Sequence, residues 1–220
     1  QRLTGTYDYQ DPHGHGTHVA GIIVYGPNQA TQHFKNKVCD NVKIFSCRFD
    51  IDDSIFFNRS IEQTMGCIKR ATEMGVDYIN YSAGGSGWSF SEYLTIKEFT
   101  DKGGIFVAAA GNDGKLLSDK YQYFPASYRY GMLYRGPDLK ERRAKPLTNI
   151  KVVEAMCGDE VCNFSNTSVD AEKFPGKNIL STSNKNESFD FRNGTSMAAP
   201  AYLHKLLKDR CNQLNNSPAL

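Results

Sequence analysis

No stretch of the 220 residues approaches the roughly 18 consecutive apolar residues of a membrane-crossing helix, so no membrane segment is read in this chain. Charge of one sign is also missing. Twenty-six Lys and Arg stand against 24 Asp and Glu, a formal net charge of +2, and no basic stripe is interleaved with aromatics. That balance lacks the electrostatic footprint of a nucleic-acid partner. The six cysteines contain no Cys-x-x-Cys pair and no zinc spacing. Neither an initiator Met nor a signal peptide with a charged start and apolar core is visible, which is the expectation for a processed or truncated product. Internal repeats and low-complexity tracts are absent. What remains is ordinary for a water-exposed globular chain: 40% hydrophobic, 23% charged, and long enough for one well-buried domain over residues 1–220.

Two features bear on compartment. Cys157 and Cys162 bracket a turn-like Gly158-Asp159-Glu160, which suits a small disulfide loop. With Cys39, Cys47, Cys67 and Cys211 the alternative of isolated buried thiols is equally open. Asn-x-Ser/Thr sequons begin at Asn58, Asn163, Asn166 and Asn186 and weakly favour an extracellular or secretory route. The basic run at residues 140–145 reads as a solvated loop, with a processing site or a substrate-facing rim as the sharper reading.

Hydrophobic patterning alternates in the manner of a parallel α/β sheet. Residues 42–47, 76–82, 105–110 and 149–155 read as strands, and the third is apolar throughout, as a strand buried on both faces should be. Residues 61–74 read as an amphipathic helix with Ile61, Met65, Ile68 and Thr72 on one stripe and Gly75 as its stop. Residues 91–102 and 196–210 are the other two helices.

Three segments carry chemistry. Asn193-Gly194-Thr195-Ser196-Met197-Ala198-Ala199-Pro200 places Ser196 at a helix start, where the helix dipole favours negative charge developing on a substrate. A serine hydroxyl is a poor nucleophile until a base takes its proton. His15-Gly16-Thr17-His18-Val19-Ala20-Gly21 supplies an imidazole that is neutral near pH 7, as a general base must be. Ala108-Ala109-Ala110-Gly111-Asn112 brings a side-chain amide to the end of a buried strand.

Together, in the order His, Asn, Ser, these segments resemble the subtilisin-like serine protease family, from about Asp11 to about Leu207. The resemblance implies an α/β, three-layer fold, a mostly parallel sheet with helices on both faces. It also implies a serine endopeptidase acting on a peptide or protein substrate, with room for a pro-domain as a further partner. Ser196 would be the nucleophile, His15 the base and Asn112 an oxyanion donor, while His18 would be structural. Ser82, Ala83, Gly84 and Gly85 would bind substrate main chain as an added strand. Ala109, Ala110 and Gly111 would form the opposite wall of a pocket whose small side chains leave room for a bulky apolar residue before the scissile bond. The Tyr-rich stretch beyond Pro125 is able to narrow or cover it, which leaves the preference open. The stretch between Pro125 and Asn149 is longer than the family's and is expected near that pocket as an insertion shaping substrate choice.

No cofactor is required. Calcium is common in the family, and Asn28 falls at the right distance from His15, but a single Asn is not a site. The family's aspartate belongs upstream of the histidine, before an Asp-Ser/Thr-Gly turn. Neither Asp8 nor Asp11 is assigned to that role, and the aspartate is expected a few dozen residues before Gln1. Three alternatives stay open: an inactive, peptide-binding relative; acyl transfer to an amine in a ligase or cyclase; and, more remotely, a metallo-hydrolase using His13, His15 and His18.

Overall fold

The computed structural model describes residues 11–28, 37–39, 42–47, 57–131, 133–135, 138, 140–185 and 188–216. Its centre is a sheet in which β1 (Tyr78–Tyr81), β2 (Ile105–Ala109), β5 (Ile150–Cys157) and β7 (Glu172–Pro175) run parallel in that spatial order. The short β6 (Glu160–Val161) turns back antiparallel on β5. α2 (Phe57–Glu73) and α3 (Phe90–Asp101) cover one face, and α1 (His15–Tyr25) and α4 (Thr195–Asn216) cover the other. The expected three-layer α/β architecture, with a mostly parallel sheet, is what folds.

β2 shows why its sequence carries no polar residue. Side chains alternate across a strand, so Phe106 and Ala108 join Ile96 and Phe99 on the α3 side. Val107 and Ala109 meet Ala198, Ala199 and Leu203 of α4 on the other. Both faces are dry, and a charge on either would be buried without a partner.

The sequence expectations differ from the structure mainly at ends and edges. α4 runs six residues past the expected stop at 210. The structure adds β7 and two antiparallel hairpins: β3 (Leu133–Arg135) with β4 (Glu141–Arg143), and β8 (Ile179–Thr182) with β9 (Phe189–Arg192). Residues 42–47 are a correction, because they form no strand despite their β-rich composition. A strand exists only through its ladder, and among the described residues this segment has no strand beside it. Ile44 and Phe45 are left 42% and 45% exposed.

All six cysteines pair: Cys39 with Cys211, Cys47 with Cys67 and Cys157 with Cys162. The first two tie Cys39 to α4 and Cys47 to α2. The third closes the β5–β6 turn, resolving the alternatives in favour of the small disulfide loop.

The stretch expected as an insertion has two parts. Its start is core: a 3₁₀ helix over Ala126–Tyr130 buries Tyr128 completely between Tyr93 and Phe124. The Tyr128 hydroxyl donates to Glu92 Oε2 at 2.9 Å and accepts from Ser89 N–H at 3.0 Å. Burial, with this bond acting against it, raises the Glu92 carboxyl above its ordinary range. Beyond it the β3–β4 hairpin lies on the surface, with Tyr134 against Trp88 and Phe90. The basic run sits in β4 and after it, where Arg142 pairs with Asp138 and Arg143 with Asp119. These are solvated ion pairs of small energetic weight.

Candidate active site

The nucleophile candidate is positioned by a helix that must lose a hydrogen bond. Pro200 lies inside α4 and has no N–H to give the carbonyl four residues earlier, that of Ser196. Ser82 Oγ donates to that oxygen instead, at 2.8 Å, and is itself held by Asn80 Nδ2 at 2.9 Å. The proline therefore couples the first turn of α4 to the end of β1. In return, Ser196 Oγ donates to the Ser82 carbonyl at 3.0 Å.

Asn112 is oriented from the same helix start. Its Oδ1 accepts from Thr195 N–H at 2.9 Å and from Thr195 Oγ1 at 3.1 Å, and that hydroxyl also accepts from Gly111 N–H at 3.1 Å. The amide oxygen is thus committed to capping α4 from a neighbouring strand, and the Nδ2 donor is turned away from it. A β-carbon on Gly194 would lie 3.4 Å from Asn112 Nδ2 and 3.7 Å from Ser196 N. The two donors converge on space that glycine leaves open, and Gly194 adopts φ +140, which disfavours any side chain.

His15 is the first residue of α1, after Gly14 in the left-handed conformation. Asp11 builds that helix start. Its Oδ1 accepts from Gly14 N–H at 2.9 Å, and its Oδ2 accepts from Thr17 N–H at 2.7 Å and Thr17 Oγ1 at 2.8 Å. Burial acts to raise the Asp11 carboxyl, but these bonds outweigh it and hold it below its ordinary value. Both Asp11 oxygens are in use, and among the described residues no carboxylate hydrogen-bonds to the His15 ring. Asp8 lies outside the described residues. Burial first, then the Arg192 guanidinium, lowers the His15 pKa below its ordinary value, so the ring is neutral at pH 7.

These groups meet. His15, Asn112 and Ser196 line one cavity of about 560 Å³ with Arg192, Asn193 and Met197. Arg192 reaches across the base side, with Nη2 donating to the His13 carbonyl at 3.2 Å. Sequence reasoning does not single out Arg192, and only its closeness to the nucleophile motif hints at it.

A second cavity, a largely apolar groove of about 670 Å³, begins at His15 and runs along the outer edge of β1. Val19 and Ile23 of α1, Ile68 of α2 and Leu203 of α4 form its walls, and residues 42–47 form its far lip. Among the described residues β1 pairs only with β2, so the backbone facing this groove has no ladder partner. Asn80 Oδ1, also at the groove, is buried with no donor.

The other expected residues are placed as follows. Ala109, Ala110 and Gly111 are buried at the end of β2. Ser82 and Ala83 line the groove, whereas Gly85 exchanges both backbone hydrogen bonds with Phe124, at 3.0 and 2.7 Å. Between 82–85 and 109–111, where the pocket is expected, stands the Tyr123 ring, close to both Gly84 and Gly111.

His18 points away from His15. It is fully buried, with Nε2 3.1 Å from the Ile179 carbonyl and 3.0 Å from that of Asp190. It packs α1 onto the β8–β9 hairpin, and with His13 and His15 it does not make a shared ligand set. Asn28 Oδ1 accepts from Leu180 N–H at 2.8 Å, so its oxygen already serves the backbone. Residues 29–32 lie outside the described residues. Among the described residues no cluster of His, Cys, Asp or Glu stands with Asn28 to form a calcium cage.

The sequence profile of the subtilase family matches residues 2–202. Subtilisin DY of Bacillus licheniformis is 29% identical over 195 residues, which cover 86% of this chain and 61% of that protein. The halolysin-like extracellular serine protease Nep of Natrialba magadii is 31% identical over 206 residues, covering 88% of this chain and 32% of its own. A cold-adapted subtilisin-like serine proteinase of known structure superposes with a TM-score of 0.65 at 23% identity, covering 96% of this chain and 66% of that one. The chain therefore spans from about a third to about three fifths of these two curated relatives. Matched along nearly its whole length, with the same architecture, the chain belongs to the subtilase family.

Proposed function

We propose that this chain forms a single catalytic domain of a serine endopeptidase acting through an acyl-enzyme on Ser196. The observation that carries the reading is the convergence of His15, Ser196 and the free Nδ2 of Asn112 on one cavity, with Asn112 Oδ1 already consumed. Rotation about the Ser196 side chain would move its hydrogen bond from the Ser82 carbonyl to the imidazole. Such bonds commonly tighten only with substrate in place. His15 then takes the hydroxyl proton as Oγ bonds to the peptide carbonyl carbon. Ser196 N–H and Asn112 Nδ2 receive the oxyanion. The imidazolium gives its proton to the leaving amine, and water, activated by the same ring, hydrolyses the ester.

The reading needs a carboxylate to orient His15 and stabilise its charged form. We place it on an extended strand that occupies the groove beside β1, gives that edge its missing ladder, and ends next to His15. Substrate is a peptide or protein, and a pro-domain fits as a further partner. An extracellular site of action is supported by the three disulfides and by the extracellular relative.

The test is peptide hydrolysis by the complete protein. Activity should vanish in Ser196→Ala and in His15→Ala and should survive zinc chelation. Activity abolished by chelation yet intact in Ser196→Ala would overturn this reading.

A further inference from the structure

In parallel sheets the binding crevice lies beyond the carboxyl ends of adjacent strands. Here β1 ends at Tyr81 and β2 at Ala109. Ser196 Oγ is tethered just past the first end, on the Ser82 carbonyl, and Asn112 stands just past the second. A carbonyl attacked by Ser196, with its oxygen toward Asn112, therefore sits over the gap between residues 82–85 and 109–111. The gap is where the side chain of the residue bearing that carbonyl would enter.

The gap is filled from within the chain. A β-carbon on Gly84 would stand 2.4 Å from Tyr123 Cε1 and 3.0 Å from Cζ, and one on Gly111 would stand 3.0 Å from both Cδ atoms. The ring thus bridges the two walls, its outer edge on one glycine and its inner edge on the other. Its backbone is fixed as well. Tyr123 N–H donates to Ser127 Oγ at 2.9 Å, the Tyr123 carbonyl accepts from Ser127 N–H at 2.8 Å, and Phe124 is locked to Gly85 by two bonds. Gly84 and Gly111 line neither of the two cavities described above.

We infer, resting on the serine-peptidase reading, that Tyr123 is a specificity residue that plugs the pocket for the residue before the scissile bond, restricting that residue to Gly, Ala or Ser. A small side chain lies against the ring face, whereas a Phe or Leu side chain must displace a ring already in contact with both walls. Close-packed protein does not yield that volume freely.

The experiment profiles the complete protein on peptides varied at that residue, with Tyr123→Gly and the milder Tyr123→Ala alongside. Wild type should prefer Ala over Phe by about 10²-fold in kcat/KM, the scale on which a filled apolar pocket discriminates. Tyr123→Gly should turn the preference toward Phe, while phosphonylation of Ser196 by a small ethyl fluorophosphonate stays unchanged. A wild-type preference for Phe or Leu would overturn the inference, as would an unchanged profile in both variants with labelling intact. Should Ser196 fail to label, the peptidase reading falls and the plug is tested alone. In a Ser196→Ala background, Tyr123→Gly should open an apolar cavity that binds indole, seen by NMR titration, whereas protein retaining Tyr123 should not. A folded variant that takes up no indole would overturn the plug itself.

Discussion

The nucleophile side and the base side of the cleft are built to different degrees of closure. Around Ser196 and Asn112 the structure is saturated: β2 is paired on both edges, Asn112 is pinned through Thr195 and Gly111, and even the carbonyl freed by Pro200 finds Ser82. Around His15 the structure is open. Among the described residues β1 has a bare edge, Asn80 Oδ1 has no donor, and Cys39 and Cys47 at the groove are held by disulfides. The contrast separates two requirements of one mechanism. Under the proposed mechanism, charge stabilisation in the transition state is preorganised within these residues, and the carboxylate that tunes the base is proposed to come with the strand that fills the groove.

The largest effect that sharpens this contrast concerns carboxylates. In the complete protein, replacing the aspartate carried by the groove strand with Asn should lower kcat by about 10⁴, the magnitude measured for the equivalent loss in a subtilisin. Asp11→Ala should instead cost about 1 kcal/mol of stability through loss of the α1 cap, read by denaturant unfolding, and leave kcat nearly intact. A kcat collapse in Asp11→Ala would make the base side complete after all.

Next in size, Asn112→Leu should reduce kcat by about 10²–10³ with little change in KM, again the scale of a subtilisin oxyanion donor. An effect on KM alone would mean that the amide binds ground-state substrate. Asn112→Leu also removes the cap on Thr195, so the unfolding midpoint should be measured together with the kinetics.

The disulfides compare the two sides directly. Removing the Cys47–Cys67 bridge, whose partners are 20 residues apart, should cost about 3 kcal/mol on a chain-entropy estimate. Removing Cys157–Cys162, five residues apart on the saturated side, should cost about 2 kcal/mol on the same estimate. Equal losses, or a larger one for the second pair, would show that the base side does not depend on its staples.

The smallest effect is electrostatic. Burial first and then Arg192 hold the His15 pKa down, so Arg192→Met should raise it. The sign follows: the neutral base persists over a narrower range, and the acid limb of the kcat/KM profile should move to higher pH. A limb that stays in place would assign the shift to burial alone.

How much of this the sequence revealed depends on how local each signal is. His15, Asn112 and Ser196 each sit in a contiguous motif, so their meeting in one cavity was legible, as was the dry strand β2 from its unbroken apolar run. Tyr123 was not. Its ring closes a gap between residues almost forty positions before it and a dozen before it, and no spacing rule encodes that. The strand expected at residues 42–47 failed for a related reason, since β propensity is realised only beside a partner. Disulfide pairing was equally non-local, because six cysteines allow fifteen connectivities. The Tyr-rich stretch was read for substrate choice, and nothing in its sequence showed that Tyr128 carries a polar tip that Glu92 and Ser89 satisfy inside the core.

The central claim is that Ser196 is a nucleophile driven by His15. Its most direct test is mass mapping of the complete protein after reaction with a fluorophosphonate across a range of pH. The account predicts a single adduct, on Ser196, whose rate of formation falls as acid protonates His15 and which is lost in His15→Ala. An adduct on another serine, or equal labelling of the Ser196→Ala protein, would contradict it.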